Sequence, residues 1–212
     1  RAKLPVADKP GLRPTLDRVR ETLFNWLRQE LDGWRCLDAF AGTGALGFEA
    51  ASRGAAEVVL LERDPQLARQ LKALQAKLAA NGMCIECVDA LAWMKRHAGA
   101  NFDLVFLDPP FEAGIFGAAL DAAAGVLAPQ GWVYLETDAP WDAAALAAHG
   151  LELHRHGRAG TVHFHLLQRR CARKLGLVPS AIVLENGEVA AEGVVQEPRL
   201  QELQAAACPD HL

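Results

Sequence analysis

The sequence predicts an α/β fold built on a mostly parallel, doubly wound sheet with an antiparallel hairpin near its C-terminal end. Two observations carry that expectation. From Arg35 onward, short apolar runs alternate with helical ones, the pattern of strands joined by crossover helices. Between 151 and 168 the pattern changes to strand-like alternation on both sides of Ala159-Gly160, a tight turn.

Taken in order, Leu16, Val19, Leu23, Trp26 and Leu27 form one apolar stripe of a helix over 15–31, with Thr15 as its N-cap. Strands are expected at 35–40, 57–62, 83–88, 102–107 and 132–136, and helices near 45–53, 65–80, 90–97, 114–127 and 140–148. The helix over 65–80 is punctuated at both ends, opened by Asp64-Pro65 and closed by Asn81-Gly82, with Leu67, Leu71, Leu74 and Leu78 at helical spacing. Pro129-Gln130-Gly131 is a turn feeding the fifth strand. In the hairpin, a loop at Ala159-Gly160 pairs Leu153 with Leu166 and Arg155 with Phe164, and puts His154, His156, His163 and His165 on the other face. A smaller hairpin is expected at 181–184 and 188–191 around Asn186-Gly187, followed by a short polar helix.

The chain has 212 residues, 51% hydrophobic and 23% charged, which suits one folded domain and excludes a disordered or fibrous protein. Long apolar runs are broken before the ~18 residues a membrane span needs. The organisation read from these features is a basic segment and helix over 1–34, a core over 35–170 and an acidic appendage over 171–212. Five cysteines describe no disulfide framework and point to a reducing compartment, the cytoplasm. Cys84 and Cys87 form a CxxC with no second ligand pair at zinc spacing, so no metal is expected there or at the histidines.

Net charge is -4, but it is divided unevenly. Residues 1–35 carry eight Lys/Arg against five Asp/Glu, 151–175 six against one, and 176–212 one against six. Local basic surfaces of this kind steer polyanions even when the total is negative.

The chemistry gathers at the predicted strand ends. Asp38, Phe40, Gly42, Thr43, Gly44 and Gly47 run from the first strand into a helix, and the glycines let the backbone lie against a ligand at the helix N-terminus. Glu62, twenty residues beyond Gly42, stands where a carboxylate grips ribose hydroxyls. That spacing fits NAD and other adenosine cofactors alike. Asp38 tilts the choice, because a carboxylate beside the loop is awkward for a pyrophosphate and useful for a cation such as the sulfonium and ammonium of S-adenosyl-L-methionine. Asp89-Ala90 adds an acceptor for an adenine amino group. Each carboxylate singly reads as a helix cap; three at successive strand ends, with the glycines, read as a ligand site.

The fourth strand ends in Asp108-Pro109-Pro110-Phe111. Two prolines remove two backbone donors and stiffen the turn, leaving acceptors only. Such a cluster suits an exocyclic amino group on a flat base, with Asp108 and the Pro109 carbonyl holding its N–H groups and Phe111 stacking on the ring.

These motifs resemble class I S-adenosylmethionine-dependent methyltransferases acting on amino nitrogens. With Arg13, Pro14, Thr15, Asp17, Arg18, Val19 and Arg20 through Leu27, the chain is similar to the bacterial 16S ribosomal RNA guanine-N2 methyltransferases of the RsmD type, from about Lys3 to Arg169. The resemblance implies a Rossmann-like, seven-stranded sheet with its last strand antiparallel. It also implies cofactor contacts at Gly42, Gly44, Glu62 and Asp89, catalysis at Asp108 to Phe111, and an N-terminal motif, Arg13, Thr15, Arg18 and Arg20, that closes over the cofactor and meets RNA. Arg169 and Arg170 join the RNA contacts through the basic 155–174 stretch. The expected partner is 16S ribosomal RNA in an assembling small subunit, met by a monomer without an obligate protein partner. Three readings stand beside this one: DNA adenine-N6 methylation, which uses the same acceptor turn; an NAD-linked oxidoreductase, which leaves Asp108 to Phe111 without work; and an inactive RNA-binding module.

Overall fold

The computed structural model describes residues 17–27, 29–110 and 114–170, with the short backbone segments 182–183 and 189–190. It divides into two units, 1–170 and 171–212. Thr15, Arg13 and Phe111, with the polar helix expected in the tail, lie outside the described residues. The first unit runs α1 (Asp17–Trp26), β1 (Arg35–Asp38), α2 (Ala45–Ser52), β2 (Glu57–Leu61), α3 (Pro65–Leu78), β3 (Met83–Glu86), α4 (Ala90–Arg96), β4 (Phe102–Leu107), α5 (Phe116–Val126), β5 (Leu127–Thr137), α6 (Ala143–Ala148), β6 (Leu151–Ala159) and β7 (Val162–Arg169). In the tail, β8 (Ile182–Val183) pairs antiparallel with β9 (Val189–Ala190), as the expected small hairpin requires.

The seven strands of the first unit form one sheet in the order β3-β2-β1-β4-β5-β7-β6. The first five are parallel and β7 enters antiparallel between β5 and β6. The order reverses between β1 and β4, the switch point at which open α/β sheets bind ligands beyond their strand ends.

Near-continuous apolar strands bury both faces. One face sets Leu37, Val59, Leu61, Val105, Leu107, Val133 and Leu135 against α4, α5 and Leu146 of α6. The other sets Leu60, Leu104, Phe106, Tyr134, Phe164 and Leu166 against Val19, Leu23 and Phe24 of α1 and Leu46 and Phe48 of α2. Helix α1 ends at Trp26, short of the expected 31, because Gln29 turns left-handed (φ 69°) and its N–H reaches back to the Phe24 carbonyl. Leu31 remains buried under the turn.

Two further differences follow from local geometry. The Pro129-Gln130-Gly131 turn lies inside β5: Leu127 already pairs with Phe102, and the ladder resumes at Trp132 with Leu104, so the intervening residues bulge out. In the C-terminal hairpin the loop residues are Gly160 (φ 63°) and Thr161, with Ala159 opposite Val162. A left-handed first loop position fits a type II′ turn, so the glycine takes the first place rather than the second. The register therefore slips from the expected one, pairing Arg155 with Leu166 and Gly157 with Phe164. A bulge between Leu153 and Arg155 turns His154 away from the other histidines and edge-on to Trp132, 4.9 Å between centroids. Gly157 leaves room for the Phe164 ring, which a β-carbon would meet at 2.3 Å, and that ring stacks on Trp26 at 5.2 Å.

On the opposite face His156 stacks between His163 (5.2 Å) and buried His165 (4.7 Å). The His165 Nδ1 donates to the Leu135 carbonyl and its Nε2 accepts from the Trp141 amide, which fixes the neutral tautomer. Burial, with the neighbouring imidazoles, lowers its pKa to about 4. A histidine depressed in the fold contributes stability above its unfolded pKa and loses it as pH falls. His165 therefore takes stability away as pH falls from about 6.5 to 4, and the melting temperature of His165→Gln, which keeps a donor and an acceptor but does not titrate, is expected to rise relative to wild type over that interval. Parallel melting profiles for the two proteins over this range would refute the assignment.

Candidate active site

Every parallel strand delivers a carboxylate to the same edge of the sheet. Asp38 ends β1, Glu62 follows β2, Asp89 follows the β3 segment, Asp108 follows β4 and Glu136 lies near the end of β5. The first two hydrogen-bond to the backbone that runs from β1 through a turn into α2. The turn is left-handed at Gly42 (φ 52°) and Gly44 (φ 78°), a conformation that only glycine adopts without strain, and a β-carbon at Gly44 would come within 2.6 Å of Leu71.

Two carboxylates hold this turn. Glu62 accepts from the Gly42 amide at 2.9 Å through one oxygen and from the Asp64 amide at 2.7 Å through the other. Asp38 accepts from the Gly47 amide at 2.9 Å and is only 3% exposed. The sequence places Asp38 beside the ligand as a free negative charge; the structure places it beneath the turn, bound to the first turns of α2. Burial pushes its pKa up to about 7, the Gly47 bond works against the rise, and the Glu62 charge adds to it. Asp38 thus supports the backbone at the start of α2 from below.

Around this turn, Phe40 and Thr43 are half-buried, with Phe40 packed against the apolar face that includes Leu37 and Ala90. Asp89 caps α4, accepting from the Ala92 amide at 2.8 Å, and is exposed; Ala90 is buried behind it. Asp108 is half-buried, Pro109 buried and Pro110 exposed, just across the switch point from Asp38.

The sequence reading missed Glu136. One residue on from the Leu107–Leu135 pair, it sits opposite Asp108, and both belong to the face covered by α1. It is 5% exposed and accepts from the Tyr134 hydroxyl at 2.7 Å. Burial, Glu136 and then Asp108 drive the Tyr134 pKa well above the usual tyrosine range, so the hydroxyl keeps its proton and remains a donor. The signal was present as Tyr134 and Glu136 at strand spacing, in a chain with a single tyrosine.

The expected RNA contacts do not share one place. Arg18 is exposed on the first turn of α1, whereas Arg20 lies 3.8 Å from Glu49 of α2. Arg169 donates to the Leu127 carbonyl and the Arg170 amide bonds to Gly150. Both sit where β5 begins, at the edge of the sheet opposite the carboxylates, because β7 runs antiparallel and carries its C-terminal end away from the site. Among the described residues no group of three or more His, Cys, Asp or Glu is placed to hold a metal, and Cys84 and Cys87 are both exposed free thiols.

A carboxylate raised in the fold contributes stability below its unfolded pKa and loses it as pH rises toward the folded value. Asp38→Asn, which keeps an acceptor for Gly47 without the charge, is therefore expected to fold and to gain stability relative to wild type as pH rises from about 4 to 7. Denaturant titrations of both proteins at both pH values check this, and a difference between them that does not change with pH would refute it.

The comparisons with known proteins agree with one another. The model of the family described as Conserved hypothetical protein 95 matches residues 1–168. The chain is 41% identical over 169 residues to ribosomal RNA small subunit methyltransferase D of Escherichia coli strain K12, covering 79% of this chain and 84% of that protein. It is 39% identical over 171 residues to the protein of the same name from Haemophilus influenzae, covering 78% and 88%. Among solved structures, a putative methyltransferase, yhhF, from Escherichia coli superposes with a TM-score of 0.69 at 38% identity, covering 80% of this chain and 92% of that one. On the strength of the family match and these identities, the chain belongs to the Conserved hypothetical protein 95 family, that of the RsmD-type methyltransferases.

Proposed function

We propose that this enzyme transfers a methyl group from S-adenosyl-L-methionine to the exocyclic N2 amino group of a guanine in small-subunit ribosomal RNA. The observation that carries the reading is the placement of the Asp108-Pro109-Pro110 turn and Glu136 directly across the switch point from the glycine turn held by Glu62. The names of the relatives support ribosomal RNA as the substrate, and the acceptor-rich rim supports an amine.

The residues present fit the methyl donor. The Gly42–Gly44 backbone forms a close cradle, Glu62 retains lone pairs for ribose hydroxyls beyond its two amide bonds, and exposed Asp89 offers an acceptor to the adenine amino group. Phe40 and Thr43 flank the cradle and Ala90 backs it. When bound, S-adenosyl-L-methionine supplies an electrophilic methyl group on a sulfonium.

What the chain must do is make a poor nucleophile attack. The guanine N2 lone pair is delocalised into the ring, so the enzyme has to orient the amine and accept its proton. Asp108 and the Pro109 carbonyl hold the two N–H groups and aim the lone pair, and the Asp108 carboxylate takes the proton released after transfer. Phe111 stacks on the base in this reading, and Arg13 and Thr15 of the N-terminal motif close over the cofactor. The glycine turn and the Asp108-Pro109-Pro110 turn belong to one chain, so one copy suffices for this chemistry. Ribosomal RNA as substrate puts the reaction in the cytoplasm, where subunits assemble. A chain this small specifies its target by the shape of a partly assembled particle more than by sequence.

Asp108→Ala is expected to lower turnover by about 10² to 10⁴-fold with cofactor affinity nearly unchanged, as read by single-turnover methylation and calorimetry with S-adenosylhomocysteine. Wild-type turnover in a folded variant would remove Asp108 from the mechanism. The reading as a whole is checked by incubating the protein with labelled methyl donor and undermodified small subunits, then analysing nucleosides. Label in N2-methylguanosine is the expected result; label in methyladenine of DNA would instead favour the adenine-N6 reading that the same turn permits.

A further inference from the structure

The C-terminal hairpin reverses the chain so that its tip, not its root, stands at the catalytic edge of the sheet. Thr137 at the end of β5 pairs with His163, and His163 with Arg158. One row lower, the line Glu136, Phe164, Gly157 continues from Asp108 across β5, β7 and β6. Three strand spacings separate Gly157 from Asp108, about 14 Å at 4.7 to 4.9 Å each.

From Leu153 to Leu166 the hairpin holds two arginines and four histidines and no acidic residue. The register divides the arginines between its faces. Arg155 shares the face of Phe164 and Leu166, the one α1 covers, on which Arg18 is also exposed. Arg158 shares the opposite face with His156 and His163. Both arginines are exposed; Arg158 spends one of its five donors on the Gly160 carbonyl at 2.8 Å. The nearest acids along the chain are Glu152, at the root, and Asp142, which caps α6; in space Glu136 lies opposite Phe164, and Asp138, just after β5, is close enough to act on His163. Charge on an edge strand also discourages strand addition, but that purpose is served by either sign, and here every charge beyond Glu152 at the root is basic.

We propose that the hairpin tip is a two-faced RNA prong. Arg155 and Arg158 each bind phosphates of a different backbone segment, so the prong sits between two segments of folded RNA while the target base reaches Asp108. The inference rests on the proposed ribosomal RNA substrate. A separation of about 14 Å is two to three nucleotides at the backbone spacing of an extended strand, so the phosphates gripped belong to the neighbourhood of the target nucleotide.

The test measures binding of the full chain to protein-free small-subunit ribosomal RNA, and to a short single-stranded oligonucleotide, across a salt series. Arg155→Glu and Arg158→Glu are each expected to weaken binding to the folded RNA and to lower the slope of log K against log salt by about one, and the double variant by about two. On the oligonucleotide, which offers one backbone, the double variant should lose no more than about one. Lys72→Glu, the same charge change on α3 beside the far edge strand β3, should match wild type. Thermal melts confirm that each variant is folded. Hairpin variants with the wild-type slope, or a Lys72 variant equally impaired, would overturn the prong while leaving the methyltransferase reading intact. Wild type that neither binds this RNA nor methylates small subunits would defeat both.

Discussion

The turn between β1 and α2 depends on two carboxylates placed under it. A backbone that is left-handed at Gly42 and Gly44 points amide groups in directions no helix or strand would use, and a buried amide without a partner is costly. Glu62 and Asp38 satisfy the Gly42 and Gly47 amides and so fix the cradle before any ligand arrives. The arrangement has its own cost, since Asp38 is buried near a second carboxylate and ionises only at about pH 7. That strain is tolerable because β1 occupies the middle of the sheet, flanked by β2 and β4, where the surrounding packing over-determines the position.

The same principle extends along the edge. Phe106 packs edge-on against Tyr134 at 6.3 Å, and Tyr134 in turn donates to Glu136 beside Asp108. Apolar packing below therefore sets the direction of the polar groups above. Phe24 of α1 closes that layer against Phe106 at 6.2 Å, which ties the N-terminal helix to the packing beneath the site.

Most of this was legible in the sequence because it depends on local signals. Alternating apolar runs located the five parallel strands, Asp64-Pro65 opened α3, and Asp108-Pro109-Pro110 announced an acceptor turn whatever its surroundings. What was not legible required a three-dimensional partner. Asp38 read as a ligand carboxylate, since nothing in the chain shows that Gly47 would take its oxygen. Glu136 acquires meaning only from its position across from Asp108. The hairpin register slipped because a glycine suits either place in a two-residue loop, and only its φ of 63° with the pairing of Ala159 and Val162 chooses. Arg169 and Arg170 were assigned by local charge, but direction of travel, not composition, decides which end of the sheet a residue reaches.

A rim of carboxylates is a poor surface for a polyanion, and the fold resolves this by distance. Asp38, Glu62, Asp89, Asp108 and Glu136 line the ends of the parallel strands, where an amine or a sulfonium is welcome and a phosphate is repelled. Arg155 and Arg158 lie on β6, about three strand spacings, roughly 14 Å, from Asp108 and two from Glu136, so the basic strand stands beside the acidic rim and not within it. The antiparallel return of β7 makes the separation possible: it sets the basic strand β6 beside the acidic rim, with Leu166 and Leu167 of β7 packed between β6 and β5.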